Sequence, residues 1–362
     1  MIPTLEILLP TYKRPCRAKE AIESVLSCND DRLTIRCNSN GYEPDLEKYR
    51  NINKRLNYDC FQTNQGPQAN VLKLFSNTNA KFCMILSDED RVNSKHCNDM
   101  LDFLENLDES VNVVACSVFD PIKGCYHWKP SSFFSEISIS SYVALNPLST
   151  YMSGLIFRVK SLSDIDLPSL LTPVMGNAYA HLDITLKMLR YNKISFFHDK
   201  FVLKGIDAKY GGDGYSHISR GENKDISSKK NKDLNLYVYG PKARVEQFYY
   251  RENLLNTLKD NIGFLPLCIG RLNYLEFHFR SIMNSHNVVI LPENSILKNE
   301  VLAGYNDSKK HEQFSGTLTS YLFIILLSLP KIISNLLFMF ISTLNRLMRK
   351  IYLFHLTYIK EI

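Results

Sequence analysis

The chain has 362 residues, of which 45% are hydrophobic and 22% are charged, and this composition excludes a disordered chain and indicates a globular protein with a sizeable core. The formal net charge is +6, too small an excess to predict a nucleic-acid-binding protein but compatible with anionic partners such as phosphates. The nine cysteines form no C-x-x-C pair, so we expect reduced thiols in a cytosolic protein and neither a disulfide framework nor a zinc site. We also see no signal peptide at the N-terminus.

Short apolar runs alternate with helical patterns along the first 120 residues. The runs predict five strands, at Leu5–Leu9, Leu33–Cys37, Tyr58–Gln62, Phe82–Leu86 and Val111–Val118. Apolar residues at helical spacing lie between them, at Ala18–Leu26, Leu46–Leu56, Val71–Phe75 and Cys97–Leu104. Strands that alternate with helices in this way predict βαβ units. The fold class we expect is therefore α/β, with a mostly parallel sheet that carries helices on both faces.

Polar residues follow four of the predicted strands directly. They are Pro10-Thr11-Tyr12, Asn38-Ser39-Asn40-Gly41, Asn64-Gln65-Gly66 and Asp88-Glu89-Asp90. Right-handed crossovers place the carboxyl ends of parallel strands at one edge of the sheet, which is where open α/β sheets bind ligands. We therefore expect these four clusters to converge on one crevice.

The crevice lacks the glycine-rich loops that bind phosphates in other α/β proteins, since the sequence contains neither G-x-G-x-x-G nor G-x-x-x-x-G-K-[ST]. Asp88 and Asp90, two residues apart on a tight turn, could instead share Mg²⁺ or Mn²⁺ with the phosphate oxygens of a substrate. The alternative is a solvated acidic turn, which is common on protein surfaces. The position after a buried strand favours the metal site.

These motifs resemble the family 2 glycosyltransferases of the GT-A fold. Residues 8–14, Leu-Leu-Pro-Thr-Tyr-Lys-Arg, resemble the opening strand and turn of that family, Asn64-Gln65-Gly66-Pro67 with Asn70 resembles its N-x-G…N segment, and residues 86–90 resemble its metal and nucleotide motif. Residues 151–157 and Tyr179-Ala180-His181 resemble the O-antigen branch that includes abequosyltransferases. The resemblance covers about residues 1–205.

The resemblance implies a nucleotide-sugar donor and a divalent cation, Mn²⁺ or Mg²⁺. Asp90 would be the main metal ligand and Asp88 would lie near both the ribose and the metal. Asn38 stands where many members place an aspartate that reads the base, which leaves the nucleobase open. The donor would be bound by residues of the polar turns, namely Pro10, Thr11, Tyr12, Arg14, Asn38, Asn64, Gly66, Asn70 and Asp88.

Family members take the proton of the acceptor hydroxyl with an acidic residue at the start of a later helix. The matching region here is Gly176–Asp183, followed by Leu186 and Leu189 at helical spacing. Asp183 is the first candidate for this base, although it could merely complement the helix dipole. His181 is the second candidate, since histidine is a common general base, and it could also be a buried structural residue.

The C-terminal region is expected to be mainly helical. We predict a catalytic domain at residues 1–222, a polar loop at 223–234 and a helical region at 235–362 with an apolar, membrane-associating segment at 317–350. Pro330-Lys331 interrupts that segment and basic residues follow it, which favours helices lying in the interface of an anionic membrane. A soluble helix pair and a true transmembrane span are the alternatives.

The resemblance thus implies a metal-assisted, inverting, hexosyl-type glycosyltransferase. Its acceptor would be a saccharide on a polyprenyl diphosphate, an O-antigen or capsule intermediate, at the cytoplasmic face of the bacterial inner membrane, with no nucleic-acid partner. Two alternatives remain: a sugar nucleotidyltransferase, and a non-catalytic membrane-associated protein of polysaccharide assembly.

Overall fold

The computed structural model describes residues 2–129, 136–145, 151–162, 164, 165, 167, 180–189, 193–205, 241–288, 294–310, 317–328 and 331–359. The chain divides into two compact units. The first consists of Met1–Ser138, Ser149–Thr172 and Ala178–Asp213, and the second of Ile139–Leu148, Pro173–Asn177 and Gly214–Ile362. The predicted boundary at residue 222 and the predicted polar loop 223–234 lie outside the described residues.

One ten-stranded sheet forms the centre of the first unit. Its strands are β1 (Leu5–Thr11), β2 (Leu33–Ser39), β3 (Leu56–Cys60), β4 (Phe82–Ile85), β5 (Arg91–Val92), β6 (Val111–Asp120), β7 (Cys125–Trp128), β8 (Glu136–Ser138), β9 (Leu155–Arg158) and β10 (Lys193–Leu203). The spatial order is β3-β2-β1-β4-β9-β6-β10-β5, with β7 beside β6 and β8 beside β10. Pairing is parallel from β3 to β4 and between β6 and β10, and antiparallel where β5, β7, β8 and β9 join.

The helices of the first unit are α1 (Pro15–Leu26), α2 (Pro44–Glu47), α3 (Pro67–Ser76), α4 (Cys97–Glu105), α6 (Val159–Leu162) and α7 (Ala180–Met188). Proline begins α1, α2 and α3, because its fixed φ suits the first helical turn, where its missing N–H removes no hydrogen bond. Helix α1 buries Ala18, Ala21, Ile22 and Val25, the face that its helical spacing predicts. The α/β architecture with helices on both faces is as the sequence predicts, but the sheet is mixed and not mostly parallel, because β5, β7, β8 and β9 pair antiparallel.

The second predicted helix differs from the structure. The pattern at Leu46–Leu56 predicts one helix, but α2 ends at Glu47 and Leu56 already begins β3. Asn51 has a left-handed φ of 64°, a conformation that asparagine tolerates and that a helix does not continue through. Leu46 and Leu56 are both buried because each belongs to a different element that packs on the same core.

The second unit is helical. It contains α5 (Ile139–Leu145), α8 (Pro241–Thr257), α9 (Phe264–Val288), α10 (Asn294–Lys310), α11 (Leu318–Ser328) and α12 (Lys331–Ile359). Its core combines stacked aromatic rings, such as Phe248 and Phe323 with centroids 3.9 Å apart, with buried polar pairs, such as Arg251 and His278 at 3.0 Å. The helical C-terminal region is therefore as predicted. Of the described helices, none is both long enough and apolar enough to cross a bilayer.

Gly154, just before β9, ties three strands together. Its N–H donates to the carbonyl of Ile85 at 3.3 Å, and its carbonyl accepts from the N–H of Cys116 at 2.8 Å. Its φ is 91°, and a Cβ at this position would lie 3.3 Å from Cβ of Cys116. Only glycine takes this conformation without strain.

We expect Gly154→Ala to lower the free energy of unfolding by about 1–3 kcal/mol, because the new Cβ adds both backbone strain and crowding. Urea unfolding of the full chain measures this change. Gly124→Ala is the matched control, since Gly124 also has a positive φ, of 65°, but has open space where an added Cβ would lie. Equal losses in the two variants would contradict the crowding argument.

Candidate active site

Asp88 lies at the carboxyl edge of the sheet, beside the end of β1. Because β1 and β4 are parallel neighbours, the residues that follow them meet. The Thr11 hydroxyl donates to Oδ2 of Asp88 at 2.7 Å, and Arg14 Nη1 donates to its Oδ1 at 3.1 Å. Asp88 is 5% exposed. The structure therefore brings together the two polar turns that follow β1 and β4.

Asp90 is enclosed by residues from later in the chain. Its carboxylate accepts hydrogen bonds from the Tyr151 hydroxyl at 2.6 Å, from the Ser153 hydroxyl and from the N–H of Gly205 at 3.0 Å. The side chain of Ser153 also accepts from the N–H of Ser87 at 2.8 Å. In the sequence, residues 151–157 show only a family resemblance, and nothing indicates a role for Gly205. The enclosure of Asp90 is therefore a finding of the structure.

Gly205 and Glu89 touch so closely that no side chain fits between them. A Cβ on Gly205 would lie 1.5 Å from the carbonyl oxygen of Glu89. The end of β10 is thus held against the acidic turn by backbone contact. Glycine at 205 allows its N–H to reach Asp90.

The three acidic residues of the turn experience different electrostatic surroundings. Burial raises the pKa of Asp90 to about 6, although the hydrogen bonds from Ser153 and Tyr151 oppose the rise. Burial also raises the pKa of Asp88, and the nearby Arg14 opposes it. Glu89 forms ion pairs with Arg14 at 2.6 Å and with Arg17 at 3.1 Å. Buried carboxylates with raised pKa values are oxygen donors that a bound cation would stabilise in the charged form.

An asparagine chain joins the ends of β2, α3 and β1. Asn38 Nδ2 donates to Oδ1 of Asn70 at 2.6 Å, and Asn70 Nδ2 donates to the carbonyl of Thr11 at 3.3 Å. These bonds fix the orientation of the Asn38 amide, which is 1% exposed. The Oδ1 atom of Asn38 has no hydrogen-bond partner among the described residues. It is a buried acceptor at the predicted base-binding position.

A second asparagine pair shapes the turn before α3. Asn40 Nδ2 donates to Oδ1 of Asn64 at 2.7 Å, and that oxygen also accepts from the N–H of Gly66 at 2.9 Å. Gly66 precedes α3 with a φ of 88°, a value that favours glycine. These contacts hold the Asn64–Gly66 turn against the end of β2.

The remaining donor-site candidates lie at the same edge. Pro10 is paired with Asn38 in the β1–β2 register. Tyr12 follows β1, and a Cβ on Gly41 would lie 3.7 Å from its ring. The predicted convergence of the four polar clusters on one edge thus corresponds to contacts in the structure. The roles of the individual residues toward a donor remain predictions.

The two candidate bases lie in the interior of the first unit. His181 and Asp183 are 2% and 0% exposed, and Asp183 lies in the first turn of α7. Helix α7 packs against α3 and β6. The preceding Gly176–Tyr179 lies outside the described residues. The base assignment therefore remains a prediction, with the dipole role of Asp183 still an alternative.

One other group in the described part of the chain has the composition of a metal site. His96, Asp99 and Asp199 offer ligand atoms that all lie within 4.8 Å of one another. The two aspartates are exposed and His96 is half-buried. The sequence did not indicate this group, because its members belong to a 3-10 turn, to α4 and to β10.

The raised pKa of Asp90 gives a pH-dependent stability. A carboxyl whose pKa is higher in the folded state contributes stability that is present below the unfolded value of 3.8 and is lost as pH rises through about 6. In EDTA, we expect the stability of Asp90→Asn relative to wild type to increase by about 2 kcal/mol between pH 4 and pH 7.5. Urea unfolding at each pH measures this difference. Asp31→Asn is the control, since its carboxylate is exposed. A stability difference between Asp90→Asn and wild type that does not change with pH would contradict the prediction.

Comparisons with known proteins point to one family. Residues 6–165 match the family model of glycosyl transferase family 2. No curated protein matches the sequence significantly. Among solved structures, TarS residues 1–349 from S. aureus are 15% identical with a TM-score of 0.45, and the match covers 86% of this chain and 93% of that chain.

Two further solved structures show a comparable likeness. The same S. aureus fragment in complex with UDP-GlcNAc is 15% identical with a TM-score of 0.44, covering 86% of this chain and 93% of that chain. The mannosyltransferase PcManGT from Pyrobaculum calidifontis in complex with GDP-Man and Mn²⁺ is 11% identical with a TM-score of 0.46, covering 97% of this chain and 87% of that chain. Likeness at this level carries no argument about the substrate or the metal of this chain.

The family match covers β1 to β9 and includes the turn that bears Asp88 and Asp90. The sheet with helices on both faces is the GT-A-type architecture that the sequence predicts. Residues 6–165 therefore match the family model of glycosyl transferase family 2 and carry the predicted acidic turn.

Proposed function

We propose that the protein transfers a sugar from a nucleotide-sugar donor to a saccharide acceptor, with the donor bound at the carboxyl edge of β1, β2 and β4. The observation that carries this proposal is the pair of buried carboxylates, Asp88 and Asp90, on one turn of a family 2 glycosyltransferase domain. Burying carboxylates costs free energy, and carboxyl groups with perturbed pKa values at such an edge are candidates for binding and chemistry. We expect Asp88 and Asp90 to serve both.

The donor nucleotide is bound by the polar turns in this proposal. The unpartnered Oδ1 of Asn38 is fixed as an acceptor, because its amide nitrogen already donates to Asn70. It can accept from the ring N–H of uracil, thymine or guanine or from the amino group of cytosine, so the nucleobase remains open. Arg14, which pairs with Asp88, is positioned to offset negative charge on the diphosphate.

A divalent cation fits the donor set at Asp88 and Asp90. Both residues supply carboxylate oxygens, the ligands that Mg²⁺ and Mn²⁺ prefer, and burial without full charge compensation raises both pKa values. A cation there would stabilise the charge that develops on the leaving diphosphate. Tyr151, Ser153 and Gly205 hold the Asp90 carboxylate in position, and we assign them this positioning role.

The acceptor hydroxyl needs a base to remove its proton. We propose Asp183 for this role, with His181 as the second candidate. An inverting displacement would place the base on the side of the sugar opposite the leaving group, so that proton removal and sugar transfer occur together. The stereochemistry and the hexosyl type of the donor are inferred from the family resemblance of the sequence.

The acceptor we propose is a saccharide on a polyprenyl diphosphate, an O-antigen or capsule intermediate, at the cytoplasmic face of the inner membrane. The support is the resemblance of residues 151–157 to the O-antigen branch and the apolar, basic C-terminal segment at 317–350. We also propose that the catalytic domain ends at residue 222 and that the polar loop after it ends at residue 234.

Hydrolysis of nucleotide sugars can identify the donor. With a panel of UDP-, GDP-, dTDP- and CDP-sugars, we expect slow metal-dependent hydrolysis of one of these donors. Asp90→Ala should lower that hydrolysis by about 100-fold or more, because the charge on the diphosphate is no longer stabilised. Chromatography of the released nucleoside diphosphate, with Mn²⁺, Mg²⁺ or EDTA, measures the reaction.

The controls separate loss of chemistry from loss of fold. Asp45→Ala removes an exposed carboxylate and should leave hydrolysis unchanged. If no nucleotide sugar binds in the presence of metal, the reaction proposal fails, and a non-catalytic role in polysaccharide assembly becomes the better account. Formation of a nucleotide sugar from a nucleoside triphosphate would favour the nucleotidyltransferase.

Substitution of Asp183 and His181 can identify the base. We expect Asp183→Asn to lower kcat of sugar transfer by about 10²–10⁴-fold, while the affinity for the donor changes little. His181→Gln should have a smaller effect. Transfer to a saccharide acceptor measures kcat, and calorimetric titration measures donor binding. If Asp183→Asn keeps both the donor affinity and the transfer activity of the wild type, Asp183 is not the base and only complements the helix dipole.

A further inference from the structure

Helix α12 exposes a continuous stripe of large apolar side chains. Seventeen large hydrophobic side chains are exposed in the described part of the chain, and eight of them lie on this one helix. The stripe consists of Leu336, Phe340, Leu344, Leu347, Ile351 and Phe354. Their spacing of three and four residues places them on one face. The stripe runs along about five helical turns, roughly 27 Å at the rise of an α-helix.

The opposite face of α12 is fixed to the helical unit by hydrogen bonds. Asn345 is 2% exposed and donates to Asn273 Oδ1 at 2.9 Å and to Glu276 Oε1 at 2.8 Å. Ser342 donates to Oε2 of Glu276 at 3.1 Å. Rotating the apolar stripe inward would break these hydrogen bonds and leave polar groups without partners. The helix therefore presents its apolar stripe outward.

The charges around the stripe are of one sign. Arg346 and Lys350 are exposed on α12, and they lie along one edge of the stripe by helical spacing. The sequence from 331 to 359 contains no aspartate or glutamate. A face that combines leucine and phenylalanine with lysine and arginine, and that lacks acids, is complementary to an anionic lipid surface.

A second helix of the same unit extends the apolar surface. Helix α11 contacts α12 and exposes Leu318, Tyr321 and Ile325 at helical spacing, with Leu318 at 76% exposure. Apolar patches of this extent are rare on monomeric soluble proteins unless another surface covers them. The sequence from 317 to 328 carries no charged side chain.

We propose that the outer face of α12 lies in the interface of an anionic phospholipid bilayer, with the Leu336–Phe354 stripe among the acyl chains and Arg346 and Lys350 at the headgroups. The proposal assigns a surface to the proposed membrane location and does not rest on the proposed reaction. The helix lies along the membrane, because its inner face remains hydrogen-bonded to the helical unit.

The experiment is co-sedimentation of the full chain with vesicles of phosphatidylcholine, with and without phosphatidylglycerol. We expect strong binding only to the anionic vesicles. Phe340→Ser/Leu347→Ser should weaken binding about 100-fold, about tenfold for each buried side chain lost. Arg346→Ala/Lys350→Ala should weaken it about fivefold for each charge, and only on anionic vesicles.

The matched control is Ile52→Ser/Ile122→Ser, which removes two apolar side chains of the first unit that are 64% and 62% exposed. This variant should bind as wild type does. Thermal unfolding and donor hydrolysis without lipid check that every variant is folded. Donor hydrolysis with no vesicle binding would sink this proposal alone, whereas vesicle binding with no hydrolysis would sink only the proposed reaction.

A second copy of the chain is the alternative partner of the apolar stripe. Sedimentation velocity without lipid would then show a dimer that Phe340→Ser/Leu347→Ser converts to a monomer. That result, or equal vesicle binding by this variant and the control, overturns the lipid assignment.

Discussion

The burial of two carboxylates at the edge of a sheet is the constraint on which the rest of the first unit depends. Asp88 and Asp90 are 5% and 1% exposed, and a buried carboxylate needs hydrogen bonds or charges to remain ionised. Thr11 and Arg14 supply them for Asp88, while Tyr151, Ser153 and Gly205 supply them for Asp90. Segments far apart in sequence must therefore meet at this turn.

The sheet order explains how they meet. The parallel strands β1, β2 and β4 bring the first three polar turns to one edge. Strand β9 inserts antiparallel between β4 and β6, so its start lies at the same edge, and the Tyr151–Gly154 segment before it reaches Asp90. Strand β10 ends beside the acidic turn, where Gly205 allows backbone contact with Glu89. The start of an antiparallel strand thus joins the ends of the parallel strands at this edge.

The helical unit meets a different constraint. Helix α12 buries Asn345 and Ser342 together with Ile341 and Tyr352, and it exposes leucine and phenylalanine residues on its outer face, which an ordinary surface helix turns inward. Water is a poor environment for that outer face, so the unit needs a covering surface. The basic edge at Arg346 and Lys350 selects an anionic one in our proposal.

The sequence by itself determined the parts that depend on local pattern. Apolar runs with polar turns after them were enough to predict β1 to β4, β6, their helices and the convergence of Thr11, Asn38 and Asp88, because neighbouring parallel strands end at one edge. It could not supply β9, the Gly205 contact or the shortening of α2, since these depend on residues that are distant in the chain. Nor could it tell which face of α12 is buried, because both faces carry apolar residues. Tertiary hydrogen bonds from Asn345 to Asn273 and Glu276 decided that orientation, and only three-dimensional packing could reveal them.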